Sequence, residues 1–456
     1  MTIAERLGAY SVNLRYEDLP AEVVHQAKRM IVDSIGCVIG GYASEPSRIA
    51  RELAATIIST QPATVLCSGA KTSPDLAAFA NGVMLRYLDF NDGYIGKEAG
   101  HPSDSLGALI SAAEIGGATG KELITATVIS YEIFCRMCDL INFKPMGFDH
   151  VTIGAMANVL GASRLMGLTA EQTATALSIT VAANVALYQT RIGNVSMWKG
   201  CAYANASRNA LFSVEMAKRG MTGPDPVFEG RGGYFAAVTR KAFELPAFGG
   251  EGASFRIMDC LIKRYPLGQY SQSVVQAALE ARARIKDLSK IEKIEVRTLH
   301  TAVEMMAGDP DKWNPANRET ADHSMPYTAG VALMYGGIKT EYFDDPYLHD
   351  PELLALVSKF KCSVSEEANQ REPEAMLCDM DVLLKDGTRE EFRVEYHRGH
   401  PKNPMSDDEI NEKCRGLIGA QMPTRQADDL LDLLWNLETH GDVKGLFPLT
   451  KVSDNR

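Results

Sequence analysis

Over roughly the first 265 residues, apolar positions recur at three- and four-residue intervals, the period of a helix with one buried face. Val23, Val24, Ala27, Met30, Ile31, Ile35 and Val38 form one such stripe, opened at Pro20 and closed at Gly40-Gly41. Thr119 with Glu122, and Thr169 with Gln172, have the spacing of a capping box, in which each side chain takes the other residue's free backbone N–H. The helix faces are rich in small residues, Ala112, Ala113, Gly116 and Gly117 in one segment and Ala174, Ala176, Ala182 and Ala183 in another. Small faces let helices approach closely, which predicts a multi-helix bundle.

Near residue 265 the period shortens. Ile291 to Arg297 and Lys361 to Val364 read as strands, and Met380 to Lys385 leads through Asp386-Gly387 into Thr388 to Tyr396. An Asp-Gly turn between alternating runs predicts a β-hairpin. Helical segments around Ser271 to Ile285 and His323 to Tyr335 interrupt these strands, giving an α+β unit. After Gly399-His400-Pro401-Lys402-Asn403-Pro404, a third capping box at Ser406 and Glu409 restores helix through Leu431, Leu433 and Leu434. The predicted fold is mainly α with an inserted α+β domain. A helical bundle is built from residues 1–265 and 405–456, and residues 266–404 form a smaller α+β lid domain.

A chain of 456 residues is long for one core, in keeping with two domains. Its formal charge of −11 argues against a nucleic-acid partner and requires a local cation cluster for any anionic substrate. The N-terminus lacks the basic-then-apolar layout of a signal peptide, and no apolar run reaches membrane-spanning length. Nine cysteines are scattered singly except Cys135 and Cys138, which share the face of an apolar helical pattern. With no second pair or neighbouring histidines, they predict buried reduced thiols rather than zinc or a disulfide scaffold, and a cytoplasmic setting.

The run Gly230-Arg231-Gly232-Gly233 fails as a phosphate loop, since no strand precedes it and no Lys-Ser/Thr pair follows. A different segment carries chemistry better. Asp89, Asp92 and His101 flank Gly93 to Gly100, which reads as a loop between helices. A carboxylate beside an imidazole is suited to proton transfer near neutral pH. His150 before a small-residue helix, Lys199 at the start of another, Lys263-Arg264 at the domain change and Tyr327 are further candidates. Each also has a structural reading: the aspartates as turn or cap residues, the histidines as loop packing, and the lysines as solvated charges.

The string Tyr87-Leu88-Asp89-Phe90-Asn91-Asp92, followed by His101-Pro102-Ser103-Asp104, resembles a hallmark of the MmgE/PrpD family. Further matches follow in order. They are Gly147-Phe148-Asp149-His150; Gly220-Met221-Thr222-Gly223-Pro224 with Phe228-Glu229-Gly230; Lys263-Arg264-Tyr265-Pro266; and Asp322-His323-Ser324 with Tyr327. The series runs from about residue 5 to about residue 440. The family includes 2-methylcitrate dehydratase, cis-aconitate decarboxylase and an iminodisuccinate epimerase. The resemblance implies a homodimer and a substrate cleft between the helical domain and the lid. It implies no iron–sulfur cluster, no metal and no other cofactor.

By position, the family's site pattern falls on Asp89, His101, His150, Lys199, Lys263 and Tyr327. Dehydrating a hydroxy-carboxylate needs a base, an acid and cations that hold carboxylates. The resemblance therefore implies His101 as acid/base, oriented by Asp89 or Asp92. Lys199, Lys263 and, more weakly, Arg264 would bind carboxylates, while His150 or Tyr327 would complete proton transfer. Two positions depart from the pattern: Gly93 stands where the family often has Thr, and Leu267-Gly268-Gln269 where decarboxylase-like members carry a histidine. The expected activity is a hydro-lyase acting on 2-methylcitrate or a related hydroxy di- or tricarboxylate. Epimerisation or decarboxylation within the family, and a non-catalytic helical binding dimer, are the alternatives.

Overall fold

Among the described residues, nine helices carry the first half of the chain: Ile3–Asn13, Ala21–Gly41, Glu45–Ala55, Pro74–Arg86, Leu106–Gly116, Gly120–Leu140, Val151–Leu165, Ala170–Ala183 and Trp198–Lys218. The computed structural model describes residues 1–419 and 421–453. Pro74–Arg86 and Val151–Leu165 both lie against Trp198–Lys218, with Leu106–Gly116 wedged among them. The small residues explain the close fit. A Cβ on Gly107 would stand 2.8 Å from the carbonyl oxygen of Ala78, and one on Gly41 2.0 Å from that of Met84. All three capping boxes close as expected, at Thr119, Thr169 and Ser406.

The second half holds a four-stranded sheet in the order Phe360–Val364, Ile291–Thr298, Cys378–Leu384, Arg389–Val394. The first pair is parallel and the others antiparallel, with Met380 opposite Phe392 in the hairpin. Gly387 has φ of 87°, the left-handed conformation that its turn requires. Helix Gln272–Arg284 packs on the two hairpin strands, and Met325–Tyr335 packs on that helix.

Apolar side chains divide into two cores. One draws on residues from Ala4 to Ile262 and again from Met405 to Val452; the other is built from Leu267 to Val394 with Ala99 and Leu261. The returning helix Asp407–Ile418 lies along Ala21–Gly41. Its Lys413, almost fully buried, pairs with Asp33 at 2.6 Å and donates to the carbonyls of Phe90 and Lys263. A C-terminal helix thus pins two segments that carry site residues.

Two local expectations change or sharpen. The stretch read as a loop, Gly93 to Gly100, is a tight hairpin in which Tyr94–Ile95 pairs with Ala99–Gly100. Alternation over two residues is too short to register as a strand. The cysteines are free thiols, with the sulfurs of Cys135 and Cys260 3.6 Å apart in the core. Among the described residues, no helix is long and apolar enough to cross a membrane.

Candidate active site

Helix Pro74–Arg86 ends in a turn that places Asp89 at φ of 49°, a left-handed conformation uncommon outside glycine and typical of strained functional positions. The turn drives the Asp89 carboxylate into a fully buried cluster. Its Oδ1 accepts from Arg86 and from Lys263, each at 2.5 Å, and its Oδ2 lies 3.4 Å from the Lys199 ammonium and 3.0 Å from His323 Nδ1. Lys199 in turn donates to Asp322 at 2.6 Å and meets His323 Nδ1 at 2.8 Å. Burial disfavours charge on Asp89, but Arg86, Lys263 and Lys199 outweigh it and hold the carboxyl well below its ordinary range. Burial also pulls the Lys263 ammonium down to about 8, against the attraction of Asp89.

Asp89, Asp322 and His323 bring donor atoms within 4.8 Å of one another, close enough for a metal. The ammonium groups of Lys199 and Lys263 already satisfy those carboxylates at hydrogen-bond distance. The donor set therefore fits a buried ion network rather than a metal cage.

Across the hairpin, Asp92 ties the two ends of the segment together. Its Oδ1 accepts from both the backbone N–H (3.1 Å) and the hydroxyl (2.5 Å) of Ser103. Its backbone carbonyl, not its carboxylate, meets His101 Nδ1 at 2.7 Å. A carbonyl can only accept, so Nδ1 carries the proton and Nε2 keeps its lone pair. Burial, reinforced by Arg86 and Lys263, holds the imidazole well below its usual pKa, so it is neutral at pH 7. His150 sits at 5.6 Å from the His101 ring, edge to face, with Nδ1 3.2 Å from Asp149. Burial takes its pKa down to about 3, and its Nε2 has no hydrogen-bond partner among the described residues.

These groups face a pocket lined by Arg86, His101, His150 and Arg191 from the larger core and by Gln269 and His323 from the smaller one. Lys144 and Tyr188 stand at its mouth with Tyr270 and also line an outer cleft beyond it. The inner cavity volume is about 40 Å³, room for about three water molecules. Arg191 is held by Asp149 at 2.7 Å, and Lys144 approaches Glu98 at 3.8 Å.

The structure thus gathers Asp89, Asp92, His101, His150, Lys199 and Lys263 within one network and shows what each of them touches. Lys199 and Lys263 are held by Asp322 and Asp89, and neither lines the pocket; Arg86 and Arg191, themselves paired with Asp89 and Asp149, do line it. Neither aspartate carboxylate orients His101; the Asp92 carbonyl does. Arg264 approaches Glu409 at 4.0 Å and lies outside the pocket. Tyr327 is buried in the smaller core, where its hydroxyl donates to the Tyr342 carbonyl at 2.8 Å. Sequence reasoning passed over Arg86, Arg191, Lys144 and the role of His323. Arg86 stands three residues before Asp89, a helical spacing that brings the two charges together, and His323 adjoins Asp322 in a quoted motif. No local signal marks Arg191 or Lys144.

Comparison with known proteins adds a second line of support. The MmgE/PrpD N-terminal domain matches residues 5–245, and the MmgE/PrpD C-terminal domain matches residues 265–439. The chain is 27% identical to 2-methylcitrate dehydratase of Escherichia coli (strain K12), spanning 92% of this chain and 91% of that protein. It is 30% identical to an alkylcitrate dehydratase of a fungal species, over 89% of this chain and 84% of that relative. It is 26% identical to the mitochondrial 2-methylcitrate dehydratase of Yarrowia lipolytica, over 89% and 82%.

Proposed function

The chain belongs to the MmgE/PrpD family, and on that premise we propose that it is a cofactor-independent hydro-lyase of 2-methylcitrate or a related hydroxy di- or tricarboxylate. One observation carries the reading. A neutral His101, its Nδ1 proton fixed on the Asp92 carbonyl, keeps a basic Nε2 beside a pocket rimmed by Arg86, Lys144 and Arg191.

In this mechanism the three cations hold the substrate carboxylates, and His101 Nε2 removes a proton from the carbon next to one of them. Developing charge on that carboxylate is met by guanidinium groups already in place, so little reorganisation is needed. The departing hydroxyl takes a proton from Nε2 of His323, in the tautomer whose Nδ1 accepts from the Lys199 ammonium at 2.8 Å rather than donating to Asp322 at 2.7 Å. As Nε2 of His323 gives up its proton, Lys199 supplies one to Nδ1, leaving a neutral imidazole. Water and the unsaturated acid leave together; solvent then takes the proton from His101 and returns one to Nε2 of His323, whose Nδ1 proton goes back to Lys199. A citrate-sized acid does not fit a 40 Å³ cavity, so the smaller α+β unit acts as a lid that moves away to admit it from the outer cleft.

The functional unit we propose is a homodimer. Val185, Leu187, Ile192, Met197 and Trp198 are large apolar residues exposed within one short stretch of the helical unit, and Val185, Leu187 and Trp198 line one surface cleft, which favours a protein partner. Leu187 belongs to the same short segment as Tyr188 and Arg191, which line the pocket, so this face adjoins the substrate site.

Incubating the purified protein with a panel of hydroxy di- and tricarboxylates should raise ultraviolet absorbance as a conjugated double bond forms. A flat trace across the panel from folded protein would sink the hydro-lyase reading. Deuterium entering the substrate from heavy water without any elimination would move the assignment to epimerisation.

A further inference from the structure

The two positions that depart from the family pattern meet in space. A Cβ on Gly93 would lie 2.2 Å from Gln269 Oε1 and 3.4 Å from its Cδ. The end of the Gln269 side chain therefore occupies the volume that any larger residue at 93 would fill. Gly93 itself is fixed, since its N–H donates to the Leu261 carbonyl at 3.0 Å and its carbonyl accepts from Leu261 N–H at 2.9 Å. Gln269 opens the short turn Gln269–Ser271 that leads into helix Gln272–Arg284. Its backbone is thus anchored on one unit while its amide reaches the other.

Gln269 is only 6% exposed, lines the pocket beside His101 and His323, and its Oε1 is buried without a hydrogen-bond partner among the described residues. Buried polar atoms in native proteins are paired with few exceptions, and an exception inside a substrate pocket points to a ligand group that completes it. The missing partner must be a donor, because a carbonyl-type oxygen only accepts. Carboxylates have no proton to give near pH 7, and Arg86, Lys144 and Arg191 already stand ready for them. An alcohol hydroxyl fits.

Building on the hydro-lyase reading, we propose that Gln269 is a specificity-determining residue whose amide, seated in the space left open at Gly93, accepts a hydrogen bond from the hydroxyl of a hydroxy-carboxylate substrate. The site then selects the hydroxyl-bearing acid over the same acid without the hydroxyl. Sites that pair a substrate hydroxyl discriminate far more strongly than sites that merely accommodate one, because the analogue lacking it leaves their polar group unpaired.

The test is calorimetric binding of citrate and of propane-1,2,3-tricarboxylate, which differ by that one hydroxyl, to the full chain. Wild type should bind citrate tighter by about tenfold or more. Gln269→Leu should bring the ratio close to one while keeping its affinity for the propane acid, which a general loss of structure would not do. Gly93→Ala supplies a second route that keeps Gln269 in the chain. Its methyl displaces the flexible end of Gln269 rather than backbone, so the fold should survive and the ratio should fall likewise. The double variant should be no worse than either single one. An unchanged ratio in both variants, or equal binding of the two acids to wild type, overturns the role of Gln269 and leaves the hydro-lyase proposal standing. If wild type binds neither acid nor any member of the carboxylate panel, the hydro-lyase proposal fails and takes this inference with it.

Discussion

Replacing Asp89 by Asn removes one charge from the most buried point of the site without changing its shape. Three cations, Arg86, Lys199 and Lys263, face three carboxyl groups there, Asp89, Asp104 and Asp322, all of them almost or fully excluded from solvent. The substitution leaves three cations against two carboxyl groups, Asp104 and Asp322. Removing one partner of a buried ion pair costs about 3–5 kcal/mol, because the remaining charge has neither water nor a counter-ion. With an unfolding entropy of about 2.1 cal/mol/K per residue, a chain of this length loses roughly one degree of Tm per kcal/mol. We therefore expect a drop of about 3–5 °C at pH 7 by scanning calorimetry.

The same charge balance fixes how that loss depends on pH. Lys263 has its ammonium held at about 8 in the folded protein against an ordinary 10.5, and Asp89 is the main group holding it up. Without Asp89 the folded value falls further. Between the folded and unfolded values the unfolded chain binds more protons, so stability rises with pH across that window. In wild type the window opens near 8, whereas in Asp89→Asn it opens lower. The gap between the two proteins should therefore narrow as pH rises from about 6 to 8. Adding Lys263→Met to Asp89→Asn restores the original balance of charge and should recover part of the lost Tm. Simple additivity of the two substitutions, or a gap that widens with pH, would refute this account of the cluster.

His101→Asn should lower turnover by about 10²–10⁴, the usual worth of a positioned base. Because burial depresses the His101 pKa, the unfolded chain takes up a proton near pH 6.5 that the folded one refuses; wild type should lose about 1.4 kcal/mol per pH unit relative to this variant below that point, measured by urea unfolding. Tyr327→Phe should leave turnover within about twofold and cost about 1–3 kcal/mol, since the hydroxyl serves only the Tyr342 carbonyl; a large loss of activity in a stable variant would return Tyr327 to the chemistry. Trp198→Asp, in the exposed apolar stretch, should yield monomers by sedimentation, and an unaltered dimer would place the interface elsewhere.

Much of the local structure was legible because it depends on neighbours in the chain. The stripe from Val23 to Val38 became the helix Ala21–Gly41, three capping boxes closed, and Asp386-Gly387 turned a hairpin. Each follows from side-chain period or from a hydrogen bond spanning three residues. The short hairpin after Asp92 was not legible, since two-residue strands owe their pairing to what packs around them.

The candidate site divides along the same line. The sequence by itself determined which chemistry-bearing residues exist, and the ordered motifs tied Asp89, Asp92, His101, His150, Lys199 and Lys263 to one place. Only the tertiary structure decided what each is free to do. Lys199 and Lys263 look like surface cations until burial matches them to Asp322 and Asp89 behind the pocket, whose wall carries Arg86, Lys144 and Arg191 instead. His101 needs a fixed proton, and the carbonyl that fixes it sits nine residues away across a turn. Gly93 and Gln269 read as unrelated departures until a missing side chain and an amide prove to share one volume. The physical reason is common to all three. Charge state, tautomer and free space are set by what lies within a few ångströms, and in this fold most of those neighbours come from distant parts of the chain.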